Sequence, residues 1–267
     1  MENIDLLLTT VSKTEEELLT LVHYNKLFGH VLIGNQMADD NSYRIVKSSD
    51  TVIEIFNLKD KGVSKNRNFL LNKSKADYVI FMDDDISISN ETLSFSNFTT
   101  KAQAFRFNVV STNKERPLKL LKKEKLIHFF DVKSFGVFGI VFDRKFLIEN
   151  KLFFNENIGP GTDINHGEDT LFLKSFFKKG KMYQIKSVNF SVSHSDSTWQ
   201  GSNRNISKEL FGHGYVYRLL FEAMWFPLLA FSLRKHYSLY KDFGSFLKVL
   251  KQACNGAKQC KKDLNAK

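Results

Sequence analysis

Apolar and polar positions in the first ninety residues alternate between two kinds of pattern. Ile4 to Val11 (IDLLLTTV) is a short apolar run of β-compatible residues and predicts a buried strand. From Thr14 to Phe28 the apolar positions Leu18, Leu19, Val22 and Leu27 follow a helical spacing. Glu15, Glu16 and Glu17 crowd the first turn there, where carboxylates suit the positive end of the helix dipole. His30 to Gly34 (HVLIG) and Val52 to Phe56 (VIEIF) predict two further strands. A helix follows over 62–74, with Val63, Leu70 and Leu71 on one side. Tyr78 to Met82 (YVIFM) predicts a fourth strand, which runs directly into Asp83-Asp84-Asp85. Strands alternating with helices predict an α/β fold, a mostly parallel sheet with helices on both faces. Ligands of such sheets bind at the carboxyl ends of the strands, where the three aspartates fall.

Beyond residue 90 the pattern is less regular. Ala104 to Val110 predicts a strand, and Phe135 to Phe142 is an apolar run carrying two glycines. Glu168 to Lys179 predicts a helix closed by Gly180, with lysines in its last turn. Val188 to Ser193 predicts a strand leading to His194, and helical patterns dominate from Ser207. The expected organisation is an α/β unit over 1–206, with a nucleotide half (1–90) and an acceptor half (91–206), followed by a helical extension over 207–267.

The chain has 267 residues, 42% of them hydrophobic, enough for a sizeable core and too apolar for a disordered protein. Its net charge of +10 is uneven. Residues 207–267 hold 11 Lys/Arg against 4 Asp/Glu, +7 of the total, which leaves +3 for residues 1–206. A basic tail suits nucleic acid or an anionic membrane surface. The tail is rich in aromatic and aliphatic residues between Gly212 and Leu233, flanked by Arg218, Arg234 and Lys235 and interrupted by Pro227. That pattern predicts amphipathic helices lying at a membrane interface, with packing on the α/β unit or a homodimer contact as the alternatives. The longest uncharged stretch there, Ala223 to Leu233, has 11 residues, short of the ~20 that a spanning helix needs. Met1 to Asp5 lacks the basic start and apolar core of a signal peptide. Cys254 and Cys260 have neither redox nor zinc spacing. A cytoplasmic protein is expected, held peripherally on the inner face of the plasma membrane.

Three adjacent aspartates repel one another, and a bound Mn²⁺ or Mg²⁺ relieves the repulsion. Hard cations prefer carboxylate oxygens, and Mg²⁺ combines one or two carboxylates with substrate phosphates. A solvated acidic turn is the plainer alternative. Upstream, Lys61-Gly62-Val63-Ser64-Lys65-Asn66-Arg67-Asn68 opens the predicted helix. Helix N-termini attract anions, and Lys and Arg add charge for phosphate.

Gly-x-Ser-x-x-Arg-Asn at 62–68, a helix, an apolar strand and the Asp-rich turn at 83–85 resemble the donor half of glycosyltransferase family 2, whose fold is GT-A. The likeness continues through Ser134-Phe135-Gly136-Val137-Phe138-Gly139-Ile140 and Phe154-Asn155-Glu156 to Gly167-Glu168-Asp169-Thr170. It implies an inverting, metal-dependent transferase that moves a sugar from a nucleotide diphosphate sugar, UDP-sugar being the family's commonest donor. The acceptor would be a glycan or a lipid-linked glycan of a bacterial surface polysaccharide such as capsule or O-antigen. By the same resemblance Asp83 helps hold the nucleotide, Asp84 meets the ribose, Asp85 with Asp83 binds the metal, and His194 adds a further metal ligand or phosphate contact; Arg67, in the basic helix start, is the candidate contact to the nucleotide's phosphates. Asp169 is then the general base on the acceptor hydroxyl and Glu168 positions the acceptor. His166, just before the GED segment, is a candidate acceptor contact or an exposed residue. Carboxylates at a helix start also stabilise the helix without any catalytic part. Thr10 is placed beside the base by position. The second strand ends in Asn35 where many members have a base-recognising aspartate, so an amide contact is expected there.

A nucleotidyltransferase is the alternative enzyme, but Leu8 to Lys13 lacks the glycine-rich phosphate loop. A basic nucleic-acid-binding protein leaves the DDD and GED segments without a purpose, so no nucleic-acid partner is expected.

Overall fold

The computed structural model of the protein describes residues 3–23, 28–47, 51–88, 102–113, 118, 120–132, 136–192 and 205–266. The first half follows the predicted alternation: β1 (Ile4–Val11), α1 (Glu15–His23), β2 (His30–Gln36), β3 (Ser42–Lys47), β4 (Val52–Leu58), α2 (Val63–Lys73) and β5 (Tyr78–Asp83). The second half adds β6 (Ile86–Ile88), β7 (Ala104–Ser111), β8 (Lys125–Ile127), α3 (Phe129–Val132), β9 (Ile140–Asp143), α4 (Arg144–Glu149), α5 (Glu168–Phe177) and β10 (Met182–Val192). Three helices close the chain: α6 (Ile206–Phe221), α7 (Trp225–Lys235) and α8 (Phe246–Asn265).

All ten strands share one sheet, in the order β3-β4-β2-β1-β5-β9-β7-β10-β6, with β8 paired to β10. The run β4-β2-β1-β5 is parallel, as are β7 and β10, whereas β3, β6, β8 and β9 pair antiparallel. Successive side chains of a strand point to opposite faces. In β1, Leu6 and Leu8 pack with Leu18, Ile80 and Met82 on one face, and Leu7 packs with Leu70, Phe81 and Phe172 on the other. Both faces are covered, so β1 is apolar without alternation. Each of these buried leucines stabilises the fold by about 2 kcal/mol. An aromatic cluster extends the second face, with Phe154 stacked on Phe172 at 4.2 Å between ring centroids.

Several elements depart from the sequence expectation. The edge strand β3 (SYRIVK) was not anticipated, because most of it is exposed and it lacks an apolar face. Its Arg44 and Lys47 suit an edge that must not pair with other chains. Of the apolar run at 135–142, the described residues 136–142 form a strand only from Ile140. Gly139, at φ +71, turns the chain into it, and a Cβ there would come within 2.7 Å of Val109.

Residues 206–235 are long enough to cross a membrane, and an 18-residue stretch within them has a mean hydropathy of 1.4, although no single uncharged stretch reaches that length. The run does not extend as one rod. Glu222 has φ 43, breaking the helix, and Tyr240, beyond α7, donates a 3.0 Å hydrogen bond to Glu209 near the start of α6. A straight helix from 209 to 235 would separate those ends by roughly 40 Å. The chain therefore folds back, and Leu210 of α6 shares a core with Leu229 and Leu233 of α7 and Val249 and Ala253 of α8.

Candidate active site

The carboxyl ends of β1, β2 and β5 lie side by side in the sheet, and α2 and α5 bring Arg67 and Asp169 to them. Parallel pairing sets Thr9 opposite Asp83 and Thr10 opposite Asn35. Each threonine then fixes one acid: the Thr9 hydroxyl donates to Asp83 Oδ1 at 2.8 Å, and the Thr10 hydroxyl to Asp84 Oδ2 at 2.7 Å. Asp84 and Asp85 form the turn between β5 and β6, with Asp84 exposed and Asp85 half-buried.

Arg67 ties this turn to the GED segment. It sits on α2 with its side chain only 3% exposed. One terminal nitrogen donates to Asp169 Oδ1 at 2.6 Å, and the other donates to both oxygens of Asp83 at 2.9 and 3.0 Å. The guanidinium carbon lies 5.2 Å from the centre of the Phe154 ring. Burial disfavours the Arg67 charge, but Asp83, Asp169 and Glu168 outweigh it and hold the guanidinium above its ordinary value. Arg67 was expected to face phosphate; its terminal nitrogens instead meet carboxylates, because α2 packs it beneath the cleft. A planar fork matches two carboxylates in a way that a lysine does not.

The acids of α5 are positioned from both sides. Gly167, at φ 95, turns the chain into the helix, and Glu168 and Asp169 occupy its first turn. The backbone N–H of Val137 donates to Asp169 Oδ2 at 3.2 Å. Burial pushes the Asp169 carboxyl up, against the pull of Arg67. Burial, reinforced by Asp169, pushes Glu168 up to about 7. Glu168 Oε2 is buried and has no hydrogen-bond partner among the described residues. A carboxyl titrating near neutrality is suited to acid–base chemistry.

The loop before α5 was not singled out from sequence, yet it closes the cleft. Ser64 donates to the Ile158 carbonyl at 2.5 Å, and Val63 N–H donates to the Pro160 carbonyl at 3.1 Å. A Cβ on Gly159 would lie 2.9 Å from Ser64 Oγ and 3.1 Å from Glu168 Cγ, and one on Gly161 3.0 Å from the Gly62 backbone. Two glycines around a proline are the sequence signal for that close approach. The Phe154-Asn155-Glu156 segment joins the same assembly. Asn68 donates to the Phe154 carbonyl at 2.9 Å and to Glu156 Oε1 at 3.0 Å, and accepts from the Phe154 N–H at 2.8 Å.

Asn35 sits at the end of β2, 3% exposed. Its amide donates to the Lys13 carbonyl and to Asn57 Oδ1, both at 2.9 Å, and accepts from Lys13 N–H at 3.0 Å. It therefore fixes the loop after β1 with the groups that were expected to meet a base. Next to it Gln36, also missed, accepts from the Gly62 N–H at 2.7 Å and so caps the start of α2. His166 is buried and faces α6, not the cleft. His194, like Ser134 and Phe135, lies outside the described residues.

Asp83, Asp169 and Glu168 act on buried Arg67, and Asp84 and Asp85 follow Asp83 in the turn, so among the described residues carboxyl groups outnumber the cation here. Among the described residues no three acidic, His or Cys groups converge as a ready-made metal set. A hard divalent ion fits such a donor set when substrate phosphates supply the remaining ligands.

The structure resembles S. aureus TarS. The TarS 1-349 complex with UDP-GlcNAc matches with a TM-score of 0.62 at 14% identity, covering 96% of this chain and 79% of that one. The complex of the same fragment with UDP gives 0.55 at 15% identity, covering 89% and 72%, and another crystal structure of TarS 1-349 gives 0.57 at 12%, covering 98% and 92%. At these identities the likeness establishes the fold, GT-A. No curated protein sequence matches the chain. The model of the glycosyl transferase family 2 matches residues 16–179, a span that holds α2, the Asp-rich turn, the GED segment and all the carboxylates that Arg67 joins. The chain belongs to glycosyl transferase family 2 and is a glycosyltransferase.

Proposed function

We propose that the protein transfers a sugar from a nucleotide diphosphate sugar, UDP-sugar above others, to a hydroxyl of a glycan or lipid-linked glycan, with inversion at the anomeric carbon. The observation that carries this reading is the Arg67 bridge, which holds the Asp-rich turn and Asp169 in one cleft. The TarS complexes with UDP-GlcNAc and UDP support a uridine donor.

In this reading Asp83, held by Thr9 and Arg67, and Asp84, held by Thr10, bind the nucleoside. Asn35 and Arg67 contribute by fixing the Lys13 loop and the Asp83 carboxylate. Asp85 and Asp83 would hold Mn²⁺ or Mg²⁺, with His194 as a further ligand, and the ion would offset charge on the departing diphosphate. Asp169 takes the proton of the acceptor hydroxyl, its basicity increased by burial. Glu168 accepts a hydrogen bond from the acceptor through its unpartnered Oε2. Asp169→Asn should keep UDP binding and lose transfer; transfer at the wild-type rate would remove the base assignment.

Residues 1–206 then form the catalytic unit and 207–267 a helical extension that docks on it and on the inner membrane surface. Leu228 and Phe231 of α7, with Met224 just before it, line an exposed stripe that ends at Lys235, and Phe231 is 72% exposed. Lys248, Lys251, Lys258 and Lys262 share the outer face of α8. An apolar stripe beside lysines suits an anionic lipid surface, and a surface polysaccharide such as capsule or O-antigen is the fitting product. Flotation with liposomes containing anionic lipid should fall for Phe231→Ser; equal flotation would assign the stripe to another contact, such as a homodimer.

A further inference from the structure

α6 lies outside the family match, yet it touches the segment that carries Glu168 and Asp169. His166 and Gly167 immediately precede these acids. The His166 ring sits against Gly212, where a Cβ would come within 2.5 Å of His166 Cε1. Gly167 sits against Val216, and a Cβ on Gly167 would come within 2.7 Å of it. The two contacts are spaced by one helical turn of α6, so one face of that helix seats the φ 95 turn that starts α5.

Behind this contact stands a buried polar network. The His166 and His213 rings meet edge to face at 4.5 Å. His213 Nε2 lies 2.9 Å from the Tyr240 hydroxyl, which donates to buried Glu209 at 3.0 Å. His166 is kept neutral, burial and then His213 pushing it down to about 3. Its Nδ1 is 3.0 Å from Asn165 Oδ1, which fixes the ring. Further along, Lys174 of α5 donates to the Leu219 carbonyl at 3.2 Å and to that of Leu220, capping the end of α6. Ile158 and Ile164, of the loop that closes the cleft, share a core with Val216 and Leu220.

We propose that α6 is a positioning element of the active site, in which His166 and His213, braced by Tyr240 and Glu209, set the Gly167 turn and thereby the placement of Glu168 and Asp169. The kinetic part of this inference rests on the transferase reading above; the mechanical part does not. A displacement of the acids by about 1 Å would cost on the order of 10²-fold in turnover without touching the donor site.

The test uses the full chain with two substitutions. Gly212→Ala puts a methyl group against the His166 ring while favouring the helix itself. Tyr240→Phe keeps volume and removes the hydroxyl that joins His213 to Glu209. Three readouts are taken: UDP binding with Mn²⁺ by calorimetry, UDP-GlcNAc turnover as the kinetic probe, and amide hydrogen exchange. For Gly212→Ala, kcat should fall about 10²-fold with KM for the donor unchanged. For Tyr240→Phe the fall should be about five- to tenfold. Both should keep UDP affinity within about twofold and speed exchange at residues 164–170 but not in β1 or β5. Wild-type exchange at 164–170 in both variants overturns the proposal, as does wild-type kcat, or exchange that rises equally in β1 and β5. Wild-type protein that neither binds UDP nor turns over UDP-GlcNAc defeats the uridine-donor reading instead, and the exchange data still decide whether α6 sets the turn.

Discussion

Replacing Arg67 with Met tests the cleft's electrostatics directly. The substitution keeps an unbranched apolar stem over Phe154 but removes the cation that, among the described residues, pairs with both Asp83 and Asp169. Removing one partner of a buried ion pair costs about 3–5 kcal/mol, because the remaining charge is left without compensation. Arg67 is 3% exposed and Asp169 19%, but Asp83 is 37% exposed and water screens part of its loss. The lower end applies, about 3 kcal/mol at pH 7. For a chain of this size that is a fall in Tm of roughly 6–12 °C. The loss should shrink toward pH 5. Without Arg67, burial raises the Asp169 carboxyl further, so the folded variant takes up a proton that the unfolded chain does not, and acid stabilises it relative to neutral pH. Arg67→Lys should fall in between, since an ammonium cannot serve both carboxylates in a planar fork. Thermal unfolding at pH 7 and pH 5 measures both effects. A loss below about 0.5 kcal/mol at pH 7, within the range of ordinary surface changes, or a gap that widens in acid, refutes the account of Arg67 as the buried counter-ion.

Other consequences follow from the same geometry. Glu168, raised from 4.5 to about 7, contributes stability that is fully present below pH 4.5 and lost as pH rises through about 7. Glu168→Gln should therefore melt above the wild type at pH 8, and an equal or lower Tm there counts against the buried carboxyl. His30 is 2.9 Å from both Asp5 Oδ1 and Glu54 Oε1, and its bond to Asp5 is the main cause that raises it above 6.5. Its contribution is fully present below pH 6.5 and fades as pH rises through the raised value. His30→Gln should thus cost more stability at pH 6 than at pH 9, read by urea unfolding, with equal costs as the contrary result. A Cβ on Gly34 would lie 1.9 Å from Asn66 Oδ1, so Gly34→Ala should push Asn66 from the Gly34 carbonyl and destabilise by about 1–3 kcal/mol. An unchanged unfolding midpoint would show that Asn66 moves aside without loss.

The sheet was legible where burial makes strands uniform. β1, β2, β4 and β5 are apolar on both faces, so their runs stand out, and a helix start with lysine, arginine and glycine marks α2. β3 escaped because an exposed edge strand carries no such run, and β6, β8 and β9 because three or four residues make no pattern. The acids at 83–85 and 168–169 were visible as motifs, but their link was not. Arg67 lies 16 residues from one partner and 102 from the other, and only the packing of α2 beneath the cleft brings all three together. The position of Asn35 at a strand end was visible, but its partners Lys13 and Asn57 were not. The fold-back at Glu222 is likewise tertiary. Pro227 announced a break, but the break falls five residues earlier, at a positive φ that no local signal requires.

The central claim, a nucleotide-sugar site completed by a divalent ion at the Asp83–Asp85 turn, is tested most directly by calorimetric titration of UDP into the purified protein, with Mn²⁺ and then with EDTA. The account predicts binding with Mn²⁺ that EDTA abolishes and that Asp85→Ala loses. Binding that persists unchanged in EDTA would contradict the metal assignment, and absence of binding by UDP, dTDP and GDP in either condition would contradict the donor site itself.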